Sequence, residues 1–173
     1  MKQLIEIKKK LASDWFKFLQ GKIIDEFQLL ENEIDKKGRK KTKYFIKKEW
    51  KKDNKKEGGG NSYVLSGGKI FDKVGVNQST VSGQFEKAFR SKILGAEKNG
   101  KYWATGISVV AHMKNPKIPA LHFNTRFIVT SKEWFGGGMD ATPSFNDKKE
   151  RILFHQKLKT VCKLNNKDYK MYK

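Results

Sequence analysis

Two runs in the middle of the chain show the clearest alternation of apolar and polar positions. They cover residues 104–112 and 121–129, and both are rich in β-branched and aromatic side chains, which favours strands. The linker between them, residues 113–119, contains two prolines and predicts a loop. Because side chains alternate between the two faces of a strand, pairing of these runs predicts a sheet with one apolar and one polar face.

The polar face of this predicted sheet carries reactive side chains. The apolar face holds Leu121, Phe123, Phe127 and Val129, with Thr125 among them, and the polar face holds Ser108, His112, His122, Asn124 and Arg126. A wetted sheet face is the plain alternative, but such a face usually carries Lys, Glu and Thr. Here it carries two of the chain's three histidines and one of its four arginines. We therefore interpret it as a candidate site.

Periodicity predicts the flanking elements. Spacings of three and four predict a helix over residues 3–33, with a core stripe of Leu4, Ile7, Leu11, Trp15, Phe18, Leu19, Ile23, Phe27 and Leu30. Residues 62–74 predict a β-hairpin, and residues 85–94 show helical spacing. The polar stretch 76–83 and the glycine-rich stretch 134–143 predict irregular backbone, with Thr142 and Pro143 opening a helix.

The last predicted helix begins with a capping box formed by Asp147 and Glu150. Its apolar stripe contains Phe154, Leu158 and Val161. At about 100° per residue, His155 and Cys162 fall at one edge of that stripe. His155 is therefore expected to lie near the sheet while remaining close to solvent.

Length and composition predict a single soluble domain. The chain has 173 residues, 37% of them hydrophobic, and we expect one domain over 1–173 with an N-terminal helix (3–33), a basic segment (36–56) and a sheet-and-helix region (58–162). A single cysteine, Cys162, excludes an internal disulfide and predicts a reducing, cytoplasmic location. No apolar run reaches the ~20 residues of a membrane span, and no secretory segment is expected.

The charge leaves several partners open. A net charge of +20, from 38 basic and 18 acidic residues, is compatible with nucleic acid, an anionic membrane surface or an acidic small molecule, and also with a genome-wide lysine bias. The basic segment interleaves its lysines with Tyr44, Phe45, Ile46 and Trp50. Such a segment either lines a single-stranded nucleic-acid groove or is anchored by residues 44–46 with a solvated outer face. We favour the second alternative and expect no nucleic-acid partner.

Several motifs together resemble one enzyme family. The stretches 106–112, 115–116, 122–126, 134–143 and 154–155 occur in the same order and at similar spacing in oxygen-dependent coproporphyrinogen III oxidases, and residues 58–60 and 69–83 match an upstream pattern. The resemblance implies an α+β fold, in which an antiparallel sheet is flanked by helices, and a cytoplasmic homodimer. It also implies conversion of two propionates of coproporphyrinogen III to vinyl groups by O₂, with release of CO₂ and formation of protoporphyrinogen IX for haem synthesis.

The same resemblance implies residue roles. His122 corresponds to the family's proton donor and Asp140 to a carboxylate that holds pyrrole N–H groups. Ser108, Asn124, Thr125 and Arg126 correspond to substrate contacts, and His112 and His155 to two ligands of a divalent, manganese-like metal described for some members. Molecular oxygen is the expected oxidant. No flavin, haem or nicotinamide is expected, because the electron-rich porphyrinogen can itself reduce O₂.

The sequence also departs from the family pattern. It stops shortly after Tyr172, where family members continue with a third metal-ligand histidine, further substrate contacts and dimer surface. We therefore expect a C-terminally truncated or split enzyme whose partner is a separate C-terminal chain. The alternatives are an inactive fragment that binds tetrapyrrole and a basic nucleic-acid-binding domain. Two histidines alone make a poor metal site, since such sites usually have three or more protein ligands.

Overall fold

The protein is built on a β-sheet with helices at both ends of the chain. The computed structural model describes residues 2–33 and 42–173. Its helices are α1 (Lys2–Glu33), α2 (Lys87–Arg90), α3 (Lys148–Leu164) and α4 (Tyr169–Tyr172), with a 3₁₀ turn at Lys55–Glu57. Its strands are β1 (Ile46–Lys51), β2 (Gly58–Ser66), β3 (Phe71–Gln84), β4 (Lys101–Met113), β5 (Ala120–Val129) and β6 (Glu133–Thr142).

The six strands form one antiparallel sheet in sequence order, β1-β2-β3-β4-β5-β6. The predicted central strands are confirmed as β4 and β5, which pair with Ser108 opposite Asn124 and Val110 opposite His122. The predicted hairpin is confirmed as β2 and β3. A sheet combined with helices agrees with the α+β class expected from the sequence.

Helix α1 lies across β3 and β4 and covers one face of the sheet. Two buried clusters form the core beneath it, one of Ala12, Phe16, Val76, Ile107, Val109 and Phe127, the other of Leu65, Phe71, Val74 and Ala111. Two polar side chains of α1 are also buried. Gln20 donates to the carbonyls of Val76 (2.9 Å) and Asn61 (3.1 Å), and Glu31 accepts backbone N–H groups at the β2–β3 turn.

The predicted core stripe of α1 is only partly right. Leu19, Ile23 and Phe27 pack on the core, but Leu4, Ile7, Leu11, Trp15, Phe18 and Leu30 are exposed. The buried positions Ala12, Phe16, Gln20 and Glu31 follow one another at multiples of about four residues along the helix. The helix is therefore rotated relative to the prediction, because the strands bind two of its polar residues as well as its apolar ones.

Three predictions of local structure are wrong. Residues 76–83 belong to the long strand β3, and residues 134–142 belong to β6. Thr142 ends that strand, and the next helix begins only at Lys148. Of the predicted helix 85–94, a single turn forms, at Lys87–Arg90. In both strands, hydrogen bonds to neighbouring strands on one or both sides stabilise sequences whose own strand preference is weak.

The capping residue of the last helix is confirmed. The Asp147 carboxylate accepts the backbone N–H groups of Lys149 (2.9 Å) and Glu150 (3.1 Å) at the start of α3. No residue of α3 is fully buried. Among the residues of its predicted inner stripe, Phe154 and Leu158 are half-buried and Val161 is exposed.

Of the three residues 44–46 predicted to anchor the basic segment, one packs on the core. Phe45 packs on both core clusters, whereas Tyr44 and Ile46 are exposed. The basic residues Lys36, Lys37, Arg39, Lys40 and Lys41 lie outside the described residues. In the part of the chain that is described, no helix combines the length and apolar character needed to cross a bilayer.

Candidate active site on the open sheet face

The face of the sheet opposite α1 is accessible to solvent, and we call it the open face. Strand register places on it, from β2 to β6, a set of small and polar residues: Gly60, Ser62, Gly75, Asn77, Ser79, Gly106, Ser108, His112, His122, Asn124, Arg126, Gly136, Gly138 and Asp140. None of these residues is buried. The predicted polar face therefore exists, and its apolar members include Val110, which lies opposite His122.

His122 and Asp140 form a pair on the last two strands of this surface, near the end of β6. They lie directly opposite each other on β5 and β6, and His122 Nδ1 is 3.0 Å from Asp140 Oδ2. A carboxylate accepts a hydrogen bond from Nδ1–H, so the contact favours the tautomer in which Nε2 is unprotonated and available for proton exchange. Thr142 Oγ1 donates to the other carboxylate oxygen at 3.4 Å. The pair thus resembles an oriented acid–base group.

Asn124 and Arg126 occupy the next two positions on the same side of β5. Arg126 donates from Nη2 to Asn124 Oδ1 at 3.1 Å, and Ser108 lies opposite Asn124 on β4. Guanidinium and amide N–H groups in this arrangement can hold a carboxylate by charge-assisted hydrogen bonds. The sequence placed these side chains together correctly, because a period of two is fixed by strand geometry.

Three further candidate residues lie apart from this group. Thr125 points to the α1 face, opposite Ile107 of the core, so the sheet separates its side chain from His122. His112 is exposed at one end of β4, opposite Lys73. His155 lies on α3, where its Nδ1 is 2.5 Å from Tyr169 Oη and its ring meets the Tyr169 ring edge-on.

The residues described do not fit a metal site by themselves. Within residues 2–33 and 42–173, no group of three or more His, Cys, Asp or Glu side chains is placed to hold a metal ion. His112 and His155 supply at most two imidazoles, fewer than the three or four protein ligands typical of such sites. The bond from His155 to Tyr169 gives that histidine a structural partner instead.

Sequence reasoning missed Asn77, which shares the open face with Ser108 and Asn124. The polar composition of the stretch around it predicts a turn. A usable signal was present, since Val74 and Val76 alternate with Gly75 and Asn77, which is the period of a half-buried strand. Gly138 was noted only as backbone freedom, yet it leaves open space opposite Asn124.

An apolar pocket borders the His122–Asp140 pair. It has a volume of about 280 Å³ and lies between α1, β4 to β6 and α3. Its lining residues are Lys22, Ile23, Glu26, Phe27, Val109, Ala111, Leu121, His122, Phe123, Met139, Asp140 and Phe154. Most of these residues belong to α1 or point to the α1 face, so the sheet lies between the apolar lining of the pocket and the His122 and Asp140 side chains of the open face.

Fixed charges on the open face favour an anionic ligand. Three cationic side chains project from this face: Lys48 on β1, Lys73 on β3 and Arg126 on β5. On the described strands of the same face, the negative charge comes from the Asp140 carboxylate. The whole chain carries a net charge of +20. A ligand with several carboxylates would therefore be attracted to this surface.

Comparison with known proteins identifies related sequences. A sequence model of the family described as coproporphyrinogen III oxidase matches residues 12–173. The oxygen-dependent coproporphyrinogen-III oxidase of Rickettsia bellii (strain RML369-C) is 48% identical over 154 residues, which are 89% of this chain and 54% of the relative. Those of Rickettsia typhi and Rickettsia prowazekii are each 48% identical over 162 residues, 93% of this chain and 57% of the relative. The chain thus spans about half the length of the curated relatives it matches.

Proposed function

Because the chain belongs to the coproporphyrinogen III oxidase family, we propose that it carries the substrate-holding, proton-transferring half of an oxygen-dependent coproporphyrinogen III oxidase. The observation that carries the proposal is the His122–Asp140 pair beside Asn124 and Arg126 on one accessible sheet face. The substrate has four propionate arms, and this surface offers cationic and amide donors for them. The product is protoporphyrinogen IX, an intermediate of haem synthesis.

The chemistry balances with O₂ as the oxidant. A propionate arm becomes a vinyl group by losing CO₂ together with one proton and two electrons, and O₂ accepts the electrons. In this scheme Arg126 and Asn124 hold a carboxylate, while His122 moves the proton through Nε2. Asp140 keeps the imidazole in the required tautomer and is also placed to accept a pyrrole N–H. An imidazole has an ordinary pKa close to neutrality, which suits it to both directions of proton transfer.

The remaining parts of the enzyme belong to the same proposal. The relatives contain sequence with no counterpart in this chain, and we expect such a portion to complete the site. A divalent metal would need ligands from that portion in addition to His112 and His155. A homodimer in the cytoplasm is the expected assembly and location, as in the family pattern.

The proposal is tested by oxygen uptake and CO₂ release with coproporphyrinogen III. The full chain is assayed alone and after addition of the unmatched portion of the Rickettsia bellii protein. We expect turnover in the mixture and weak or no turnover by the chain alone. Turnover in neither case, together with tight binding of the oxidised analogue coproporphyrin III, would favour a tetrapyrrole-binding fragment. Neither turnover nor binding would contradict the proposed function.

A further inference from the structure

A row of hydroxyl and amide side chains crosses the open face from β2 to β5. Ser62, Asn77, Ser108 and Asn124 lie directly opposite one another in successive strands. Residues paired in this way present their side chains to the same face. Asn77 and Asn124 are two strands apart, so about 10 Å separates them at the usual spacing between strands of ~4.8 Å.

Both asparagines are oriented by a donor that binds their carbonyl oxygen. Ser62 Oγ donates to Asn77 Oδ1 at 2.5 Å, just as Arg126 donates to Asn124 Oδ1. Each contact leaves the Nδ2 amino group on the other side of the amide. The hydrogen bonds formed among residues 2–33 and 42–173 include none from either Nδ2. Two pairs of N–H donors are thus available to a ligand that brings acceptors.

A glycine beside each asparagine leaves room for that ligand. A side-chain carbon built on Gly75 would have Asn77 Nδ2, at 3.7 Å, as its single neighbour within 4 Å, and one built on Gly138 would have none. Neither glycine has a positive φ, so the backbone conformation does not demand glycine at these positions. What the two residues provide is open space next to an amide donor.

From this arrangement we infer that Asn77 is a second carboxylate-binding position of the site, which holds a different propionate arm from the one bound by Asn124 and Arg126. Ser62 acts as a positioning residue for its amide. One carboxylate cannot reach donors about 10 Å apart, so the two positions together select a ligand with several separated carboxylates. This inference rests on the proposed function and adds to it the means by which the tetrapyrrole is fixed in its plane.

The experiment measures coproporphyrin III binding to the full chain by quenching of tryptophan fluorescence. Asn77→Asp keeps the shape of the side chain but replaces the donor with a carboxylate, which repels a propionate. We expect at least about tenfold weaker binding, the scale of a lost charge-assisted hydrogen bond. Asn99→Asp is the matched control, since this exposed turn residue uses its Oδ1 to accept the Lys101 N–H, which a carboxylate also does. Its affinity should equal that of the wild type.

A second variant tests the same position in case Asn77→Asp fails to fold. Gly75→Ala adds a methyl group at ordinary contact distance from Asn77 Nδ2, so the fold should tolerate it while the ligand loses space. We expect binding several-fold weaker than wild type with an unchanged melting temperature. Wild-type affinity in both Asn77→Asp and Gly75→Ala would overturn the assignment of Asn77. A wild-type chain that binds no coproporphyrin III and also gives no turnover with the added portion would instead contradict the proposed function.

Discussion

His122 and Asp140 face each other across the β5–β6 pair, with 3.0 Å between Nδ1 and Oδ2. The two residues are 18 positions apart in sequence, yet the antiparallel register makes them neighbours. The two side chains are 40% and 58% exposed, so a substrate can reach both. This contact orients the imidazole, since Nδ1 of His122 is bound by Asp140 and Nε2 remains available to a substrate.

Replacing His122 by alanine should lower turnover of coproporphyrinogen III about a hundredfold or more in the completed enzyme, the scale of a lost general acid or base. The measurement is initial oxygen uptake. His112→Ala is the histidine comparison, since His112 lies on the same face, two positions along β4 from the residue opposite His122, and it should retain more activity than His122→Ala because it lacks the contact with Asp140. Wild-type turnover by His122→Ala would remove His122 from its proposed role.

Asp140→Asn tests the orientation of the imidazole without any assay of activity. An amide offers a donor as well as an uncharged acceptor, so the preference of His122 for a protonated Nδ1 should weaken and the share of protonated Nε2 should rise. The ¹⁵N chemical shifts of the ring nitrogens distinguish the two forms. Thr142→Val serves as a control, because it removes only the 3.4 Å contact to the other carboxylate oxygen. An unchanged tautomer in Asp140→Asn would contradict the role given to Asp140.

The sequence predicted which residues of β5 lie together in this site, but it did not predict their partners on neighbouring strands. His122, Asn124 and Arg126 were placed on one face by strand alternation alone, because they are two residues apart on one strand. The partners Asp140 and Asn77 were not, since β6 contains three consecutive glycines and β3 a polar run with turn-like composition. Those segments become strands through hydrogen bonds to neighbouring strands, and local composition does not report such tertiary contacts.

Glu31 fixes the end of α1 to the β2–β3 turn. Its carboxylate is fully buried and accepts the backbone N–H groups of Lys69 (2.7 Å), Ile70 (2.9 Å) and Phe71 (2.8 Å). Glu31→Ala should lower the free energy of unfolding by on the order of 3 kcal/mol, since it leaves buried donors without an acceptor. Urea unfolding at neutral pH measures it. Glu33→Ala, an exposed change on the same helix, should have little effect, and equal losses in the two variants would exclude this contact as the cause.

The ion pair of Lys52 and Glu57 makes a pH-dependent prediction. The Lys52 ammonium lies 2.5 Å from Glu57 Oε2, and its hydrogen bond lowers the pKa of the Glu57 carboxyl below the ordinary value. A carboxyl with a lowered pKa in the folded state stabilises the fold above its unfolded pKa. That contribution is lost as the pH falls through the folded value.

Carboxyl NMR titration should therefore give Glu57 a pKa below the ordinary one of a glutamate in the wild type and a higher one in Lys52→Met. Glu97 provides an internal control, because backbone N–H groups, including that of Gly95, lower its pKa, and the change at position 52 leaves these contacts in place. The same pKa for Glu57 in both proteins would show that Lys52 does not cause the shift.

The orientation of α1 could not be deduced from its apolar pattern. Apolar residues lie on both sides of this helix, and the side that packs on the sheet also carries Gln20 and Glu31. The groups that satisfy these two residues belong to strand and turn backbones 30 or more positions away in sequence. Helical periodicity measures where apolar residues concentrate, and it contains no information about such distant partners.

Phe16 and Phe18 lie on opposite faces of α1, so alanine substitutions at the two positions show which face is packed. Phe16 is 1% exposed within the core and Phe18 is 56% exposed. Phe16→Ala should lower the free energy of unfolding by about 3–5 kcal/mol, because it removes buried apolar surface and leaves a cavity. Phe18→Ala loses only a tilted contact with Trp15 at 5.7 Å and a Lys22 ammonium at 5.7 Å, so a loss below about 1 kcal/mol is expected. Chemical denaturation of both variants measures the difference, and a larger loss for Phe18→Ala would mean that the outer stripe of α1 is the packed one.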